Sequence, residues 1–116
     1  MKEERNCVFC DIVKRKVPAK IVYEEDKIIA FEDINPQAPV HILLVPKKHI
    51  SSANEIASDD VSLIGRIFFV AKKIAKDKNI TDGFRIVVNS GEKAGQTIYH
   101  LHFHLLGGRK FRWPPG

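Results

Sequence analysis

Three of the five histidines lie close together, each two residues from the next: His100, His102 and His104. Apolar or aromatic residues stand between and beside them. This alternation with a period of two is typical of a strand that buries one face. It predicts a strand on which the three imidazoles form a row, with neighbours about 6.5 Å apart and the ends about 13 Å apart. That row is too long for one tetrahedral zinc ion to bind all three rings, so we expect a reaction surface.

Imidazole side chains titrate near neutral pH and can act as nucleophiles or as acids and bases. A neutral imidazole attacks phosphorus well when an acceptor holds its second ring N–H. The other two histidines flank an apolar strand predicted over residues 40–45, with His41 at its start and His49 just past its end. A lone histidine is more often structural. Pairing of this strand with the histidine strand would bring His41 towards the row.

The loop over residues 89–97 ends immediately before the histidines. It is polar, and its glycines leave backbone N–H groups free to point at an anion. Thr97 adds a hydroxyl donor. Turns of this kind are common between strands, but beside three histidines the loop is a candidate phosphate cradle.

Cys7 and Cys10 are the only cysteines and form a Cys-x-x-Cys pair near the N-terminus. A redox pair of the thioredoxin kind follows a strand and opens a long helix, and no strand precedes this pair. Two thiolates at this spacing could instead supply half of a tetrahedral zinc site, with histidines from elsewhere completing it. The alternative is a pair of reduced, half-buried cysteines.

The length of 116 residues predicts a single domain over residues 1–116. Apolar patterns predict a short helix over 8–15, a hairpin over 21–31, a long helix over 58–78 with an unusually broad apolar surface, and a strand over 84–89. The fold class is therefore α+β, with one five-stranded, mostly antiparallel sheet, a short N-terminal helix and one long helix.

Composition and charge indicate where the protein is located and what kind of partner it binds. No apolar run is long enough to span a membrane, and residues 1–6 lead into no signal-peptide segment, so we expect a cytoplasmic protein. The net charge of +5 suits an anionic partner such as a nucleotide and does not by itself indicate nucleic-acid binding.

The histidine motif His-x-His-x-His followed by apolar residues resembles the histidine-triad (HIT) nucleotide-binding superfamily, and most closely its Hint branch. The supporting stretches are residues 34–41, 45–50, 95–97 and 107–116, which ends in Trp-Pro-Pro-Gly. The resemblance implies a homodimeric HIT fold and a purine nucleoside phosphoramidase that forms a nucleotidyl-histidine and releases AMP or GMP. It implies no organic cofactor, no membrane association and no requirement for nucleic acid.

The resemblance also implies roles for individual residues. His102 would be the nucleophile, His104 would contact the phosphoryl oxygens, and His41 would orient His102 and relay protons. Asp33 would accept hydrogen bonds from the ribose hydroxyls. The implied substrate contacts are Phe9, Phe31, Asp33, Ile34, Asn89, Gly95, Gln96 and Thr97.

Relatives that carry such a cysteine pair bind a structural zinc ion with two histidines. The matching ligands here are Cys7, Cys10, His49 and His100, a standard Cys₂His₂ set. Three other functions remain open on the sequence: a dinucleoside polyphosphate hydrolase of the same superfamily, a non-catalytic module that binds nucleotides or a partner, and a metal-handling protein.

Overall fold

The computed structural model describes residues 7–116. Its helices and strands are α1 (Val8–Val13), β1 (Ile21–Glu24), β2 (Ile28–Glu32), β3 (Val40–Pro46), α2 (Val61–Asp77), β4 (Phe84–Val87) and β5 (Phe103–Gly107). Short 3₁₀ turns lie at Ala53–Glu55, Ser58–Asp60 and Glu92–Ala94. This order matches the predicted one. Residues 1–6, on which the expectation of a cytoplasmic protein partly rests, lie outside the described residues.

One sheet holds all five strands in the order β1-β2-β3-β5-β4, and every neighbouring pair is antiparallel. The predicted α+β class and the predicted hairpin of β1 and β2 are confirmed. The expected pairing of the two histidine-bearing strands is also confirmed. Leu43 lies opposite His104, and His41 lies opposite Leu106. His41 and His104 are therefore diagonal neighbours on the same face of the sheet.

The two faces of the sheet serve different purposes, because alternate residues of each strand point to opposite sides. One face packs against α2 and includes Ile28, Ala30, Ile42, Leu44, Phe103 and Leu105. The other packs against α1 and includes Ile29, Phe31, Leu43 and Val45, together with Phe9, Ile12 and both cysteines. His41 and His104 alternate along their strands with residues of the first face, so their side chains point to the same side as the second set. The site therefore forms on the α1 side of the sheet.

The start of α2 is anchored to the chain that follows β3. The Asp60 carboxylate accepts hydrogen bonds from the Ala57 N–H at 2.9 Å and from Lys48 Nζ at 2.6 Å. Ser58–Asp60 forms a 3₁₀ turn, and the α-helix itself begins at Val61.

The prediction that all three clustered histidines lie on one strand is wrong. Strand β5 begins only at Phe103, so His104 lies within it, whereas His100 and His102 precede it. The backbone takes a different partner there, because the Leu101 N–H donates to the Ile50 carbonyl at 2.6 Å. The imidazole of His100 is fully buried beside the cysteines. The segment before Phe103 thus bonds to the chain after β3 and buries the His100 side chain there, outside the regular strand.

Three other elements end earlier than predicted. Helix α1 ends at Val13 rather than at residue 15, β4 ends at Val87 rather than at residue 89, and α2 ends at Asp77. None of the helices in residues 7–116 has the length and apolar character needed to cross a bilayer.

The close packing at the end of β5 gives a stability prediction. A Cβ atom on Gly107 would lie 2.6 Å from Ile80 Cδ1 and 2.9 Å from Ile80 Cβ. We expect Gly107→Ala to destabilise the fold by about 1–3 kcal/mol through overpacking. Urea unfolding measures this change. Gly116→Ala is the control: it makes the same chemical change, meets no atom within 4 Å at an exposed position, and should change stability by less than about 0.5 kcal/mol. Equal effects of the two substitutions would contradict the packing argument.

Candidate functional site

A pocket of about 340 Å³ lies between α1, the loop after β2 and the segment that leads into β5. Its lining is largely apolar, with His102, His104, Asp33 and Thr97 among the few polar residues. The lining residues are Val8, Phe9, Ile12, Val17, Pro18, Ala19, Phe31, Glu32, Asp33, Ile34, Leu43, Thr97, Ile98, His102 and His104. Such a pocket suits a flat apolar ring with a polar group at one end.

The His102 ring is held in one tautomer by the backbone. Its Nδ1 lies 2.7 Å from the carbonyl oxygen of His100. A carbonyl can only accept a hydrogen bond, so Nδ1 carries the proton and the neutral ring keeps its lone pair on Nε2. Phe9 packs edge-on against the same ring, with the centroids 5.1 Å apart. His102 is thus a neutral imidazole with a defined nucleophilic nitrogen in the pocket wall.

A chain of hydrogen bonds also sets the tautomers of the other two histidines. The Gln37 backbone N–H donates to His41 Nδ1 at 3.0 Å, so the proton of neutral His41 is on Nε2. His41 Nε2 lies 2.9 Å from His104 Nδ1, and its N–H donates a hydrogen bond to that nitrogen. His104 then carries its own proton on Nε2. Its ring centroid lies 5.1 Å from that of His102, so a hydrogen-bond donor lies beside the His102 ring.

Burial keeps all three of these histidines neutral. It is the largest cause that lowers the pKa of His41 and of His102 below the ordinary value. The pKa of His104 falls to about 4, first because of burial and then because of the neighbouring His102 and His41. The Asp33 carboxylate opposes the shift in each case. At neutral pH the site therefore offers lone pairs and N–H donors rather than cations.

Five of the predicted substrate contacts line the pocket: Phe9, Phe31, Asp33, Ile34 and Thr97. Phe9 and Phe31 stack edge to face with their centroids 5.4 Å apart, which gives the pocket an aromatic wall. Ile34 is fully exposed at its rim. Their roles towards a substrate remain predictions.

The structure places the other three, Asn89, Gly95 and Gln96, in the loop outside the pocket lining. The buried Gln96 amide organises that loop. Its Oε1 accepts from the Gly91 N–H at 2.8 Å, and its Nε2 donates to the carbonyls of Ser51 and Ile98 at 2.8 and 3.0 Å. Gly95 has a positive φ of 92°, where glycine is favoured. Gln96 thus holds the loop against the chain after β3.

The sequence analysis missed Gln37, whose N–H sets the tautomer of His41. It also missed the apolar lining from Val8, Ile12 and Val17. The apolar periodicity of α1 could have indicated Ile12, because it lies on the buried face of that helix. No side-chain type signals the role of Gln37, since only its backbone acts.

The second cluster lies next to the pocket and contains Cys7, Cys10, His49 and His100. One ligand atom from each residue lies within 4.8 Å of all the others. His100 Nδ1 is 3.2 Å from Cys7 Sγ and 3.5 Å from Cys10 Sγ, and His49 Nδ1 is 3.3 Å from Cys10 Sγ. The four residues that the resemblance implies as ligands are therefore together in space.

The chemistry of this cluster fits a zinc ion. The Pro46 carbonyl accepts from His100 Nε2 at 2.7 Å, which leaves the Nδ1 lone pair directed at the thiols. Sulfur and nitrogen ligands of a tetrahedral zinc ion lie about 3.6 Å apart, close to the separations seen here. The cysteines are reduced and buried. The group can therefore hold a metal with little rearrangement.

Known proteins resemble this chain over nearly its whole length. The family model described as "Scavenger mRNA decapping enzyme C-term binding" matches residues 6–111. An uncharacterized HIT-like protein of Synechocystis sp. is 50% identical over 109 residues, which cover 94% of this chain and 96% of the relative. A similar protein of Synechococcus elongatus is 49% identical over the same shares.

Solved structures show the same likeness. A HIT family hydrolase from Legionella pneumophila superposes with a TM-score of 0.93 at 47% identity, covering 96% of this chain and 100% of that one. A histidine triad protein from Clostridium difficile gives a TM-score of 0.89 at 44% identity, with 92% and 94% coverage. Since family model, sequence relatives and fold agree, the chain belongs to the histidine-triad (HIT) superfamily.

Proposed function

We propose that this protein is a nucleotidyl hydrolase that cleaves purine nucleoside phosphoramidates and related conjugates to nucleoside monophosphates through His102. The observation that carries the proposal is the hydrogen bond from His102 Nδ1 to the His100 carbonyl. It leaves Nε2 as a neutral nucleophile in the wall of an apolar pocket. The similar Legionella pneumophila protein is described as a hydrolase, which agrees with this assignment.

In the first step, the lone pair of His102 Nε2 forms a bond to the α-phosphorus and the bond to the leaving nitrogen breaks. The amine takes up a proton from solvent and departs. Nδ1 keeps its proton, so the nucleotidyl-imidazole ring carries one positive charge. In the second step, water attacks phosphorus, releases the nucleoside monophosphate and a proton, and returns His102 to its neutral form.

The neighbouring groups assist without changing charge. His104 donates from Nε2 to a phosphoryl oxygen, and His41 holds it in that tautomer through the 2.9 Å hydrogen bond. The purine stacks within the apolar wall that includes Phe9 and Phe31. The Thr97 hydroxyl, in the pocket lining, donates to the phosphate. The expected cradle of backbone N–H groups is not available, because the Gly95 and Gln96 N–H groups donate to the carbonyls of Glu92 and Gly91 at 2.9 and 3.1 Å.

We further propose that Cys7, Cys10, His49 and His100 bind one structural zinc ion. The support is their proximity and the orientation of His100 by the Pro46 carbonyl. The ion would join α1 to the segments that follow β3 and precede β5. It takes no part in the reaction steps above.

A homodimer is the proposed assembly. Val61, Phe68 and Phe69 on α2 are 65%, 48% and 46% exposed, a large apolar area for one helix. Strand β4 follows α2 in sequence and forms one edge of the sheet. Its residue Phe84 is also exposed. A second copy of the chain would cover this surface and pair its edge strand.

Single-turnover mixing with adenosine 5′-phosphoramidate tests the catalytic proposal. We expect a covalent adenylyl–protein adduct in the wild type and none in His102→Ala, with turnover lower by on the order of 10³-fold or more because the nucleophile is gone. Lys27→Ala, at an exposed position between β1 and β2, is the control and should match the wild type. Unchanged turnover in His102→Ala would refute the proposal. Faster cleavage of a dinucleoside triphosphate than of the phosphoramidate would favour the polyphosphate hydrolase instead.

Elemental analysis tests the zinc site. We expect about one zinc per chain in freshly purified protein, and loss of both the metal and part of the thermal stability in Cys7→Ser. Asp11→Asn, in the same helix, should retain the metal. Protein prepared without chelators and found free of zinc would contradict the site.

Light scattering tests the assembly. We expect a dimer mass for the wild type and a monomer mass for Phe69→Glu, because a carboxylate in an apolar interface is costly to bury. Lys27→Glu, at an exposed position between β1 and β2 on the side of the sheet opposite the β4 edge, should remain dimeric. A wild-type monomer at micromolar concentration would overturn the proposal.

A further inference from the structure

The chain that follows β5 lies against the loop between β2 and β3. The register of β3 with β5 pairs Gly107 with Val40, so the chain leaves β5 beside the last residues of that loop. A Cβ atom on Gly108 would lie 3.0 Å from Pro39 Cβ and 3.3 Å from Pro39 Cγ, an approach that suits glycine. The C-terminal segment and the loop are therefore in close contact.

Arg109 extends this contact to the backbone of Gln37. Its Nε donates to the Gln37 carbonyl at 3.0 Å, and its Nη1 donates to the Lys110 carbonyl at 3.3 Å. Gln37 is exposed, so burial does not fix the direction of its peptide groups. The hydrogen bond from Arg109 is therefore a restraint on this part of the loop that its own packing does not provide.

The Arg109 guanidinium is itself held by an aromatic ring. Its Cζ lies 4.4 Å from the centroid of Phe111, and Arg85 Cζ lies 4.8 Å from the same centroid. Arg85 also donates to the carbonyls of Arg112 and Pro115 at 2.9 and 3.5 Å. Because a guanidinium is attracted to the face of an aromatic ring, these contacts restrict a long, exposed side chain to the position from which it reaches Gln37.

The Gln37 N–H connects this restraint to the histidines. It donates to His41 Nδ1 at 3.0 Å, and His41 Nε2 donates to His104 Nδ1 at 2.9 Å. The Asp33 carboxylate lies 3.3 Å from His41 Nε2 and favours the same position of the His41 proton. If the Gln37 N–H turned away, that proton could move to Nδ1. His104 would then donate from Nδ1, and its Nε2 would have no proton to donate.

We propose that Arg109 is a positioning residue that acts through the backbone of Gln37. Its guanidinium keeps the Gln37 N–H on His41 Nδ1 and so preserves the Nε2–H donor of His104 beside His102. Arg109 does not line the 340 Å³ pocket. The effect on rate rests on the proposed function, whereas the effect on the tautomers concerns the resting protein.

Ring ¹⁵N NMR of the resting protein at neutral pH tests the tautomers. In the wild type we expect His41 and His104 to carry their protons on Nε2. Arg109→Met keeps an unbranched side chain and removes every donor. It should raise the population of the Nδ1-protonated form of both rings by about threefold to tenfold, the size of one hydrogen bond. Unchanged tautomers would overturn the inference.

Single-turnover mixing with adenosine 5′-phosphoramidate tests the effect on the reaction. We expect the maximal rate of adduct formation to fall by about threefold to tenfold in Arg109→Met, with little change in the half-saturating concentration, because fewer molecules have the His104 donor. Arg109→Lys retains a charged donor and should restore part of the rate. Phe111→Leu removes the aromatic face and should cause a smaller fall.

Lys27→Met is the control, because it removes one positive charge and one donor at an exposed position between β1 and β2. It should match the wild type in both measurements.

The outcomes separate the two proposals. Absence of an adduct in the wild type overturns the proposed function, and the tautomers of Arg109→Met then still decide the positioning role. A wild-type adduct with an unaltered rate in Arg109→Met overturns the inference and leaves the function standing. A change confined to the half-saturating concentration assigns Arg109 to substrate binding and also overturns the inference.

Discussion

The hydrogen bond from His102 to the carbonyl of His100 is the contact on which the site depends. It exists because His100 is held in place at its other end, where the ring donates to the Pro46 carbonyl and faces the cysteines. His100 thus belongs to two groups: its side chain contacts the thiols, and its backbone carbonyl contacts the His102 ring in the pocket wall. The orientation of the His102 ring therefore depends on the packing of α1 and its cysteines against the sheet.

Antiparallel pairing of β3 with β5 provides the second half of the site. The register places His41 and His104 as diagonal neighbours on the α1 face, so their rings meet at hydrogen-bond distance. A shift of one residue would send His104 towards α2 and into the main core. That core, with Leu44, Phe103 and Leu105 completely or almost completely buried, makes such a shift costly. The stability of the α2 face thus fixes the arrangement of the histidines on the opposite face.

Electrostatics then decide what these rings can do. Burial disfavours protonation, and the three tautomers follow from neighbours that can only donate or only accept. The result is three imidazoles that are neutral at physiological pH: His102 with a free lone pair on Nε2, His104 with an N–H donor on Nε2, and His41 bonded to His104. The Asp33 carboxylate, 3.3 Å from His41 Nε2, opposes this effect of burial on the pKa of each ring without overcoming it.

Much of the fold was predictable from residue patterns. Continuous apolar runs indicated β1, β2 and β3, and the charged residues between β1 and β2 indicated the hairpin. The spacing of Ile67, Ile74 and their neighbours indicated α2. The pattern failed at His100 and His102. Alternation of residue types is a local property, whereas the path of the backbone there is set by a contact between Leu101 and Ile50.

The sequence by itself determined the secondary-structure order, the α+β class and the set of residues with chemical potential: five histidines, two cysteines and the acidic residue after β2. Only the tertiary structure decided which of these residues lie together. In the folded chain the His100 ring lies against the thiols, His41 lies beside His104, and the Gln96 side chain points into the loop. The fold also supplied the Gln37 N–H that sets a tautomer. The physical reason is that tautomer and charge depend on the direction of neighbouring donors, acceptors and carboxylates, which become neighbours only when distant segments fold together.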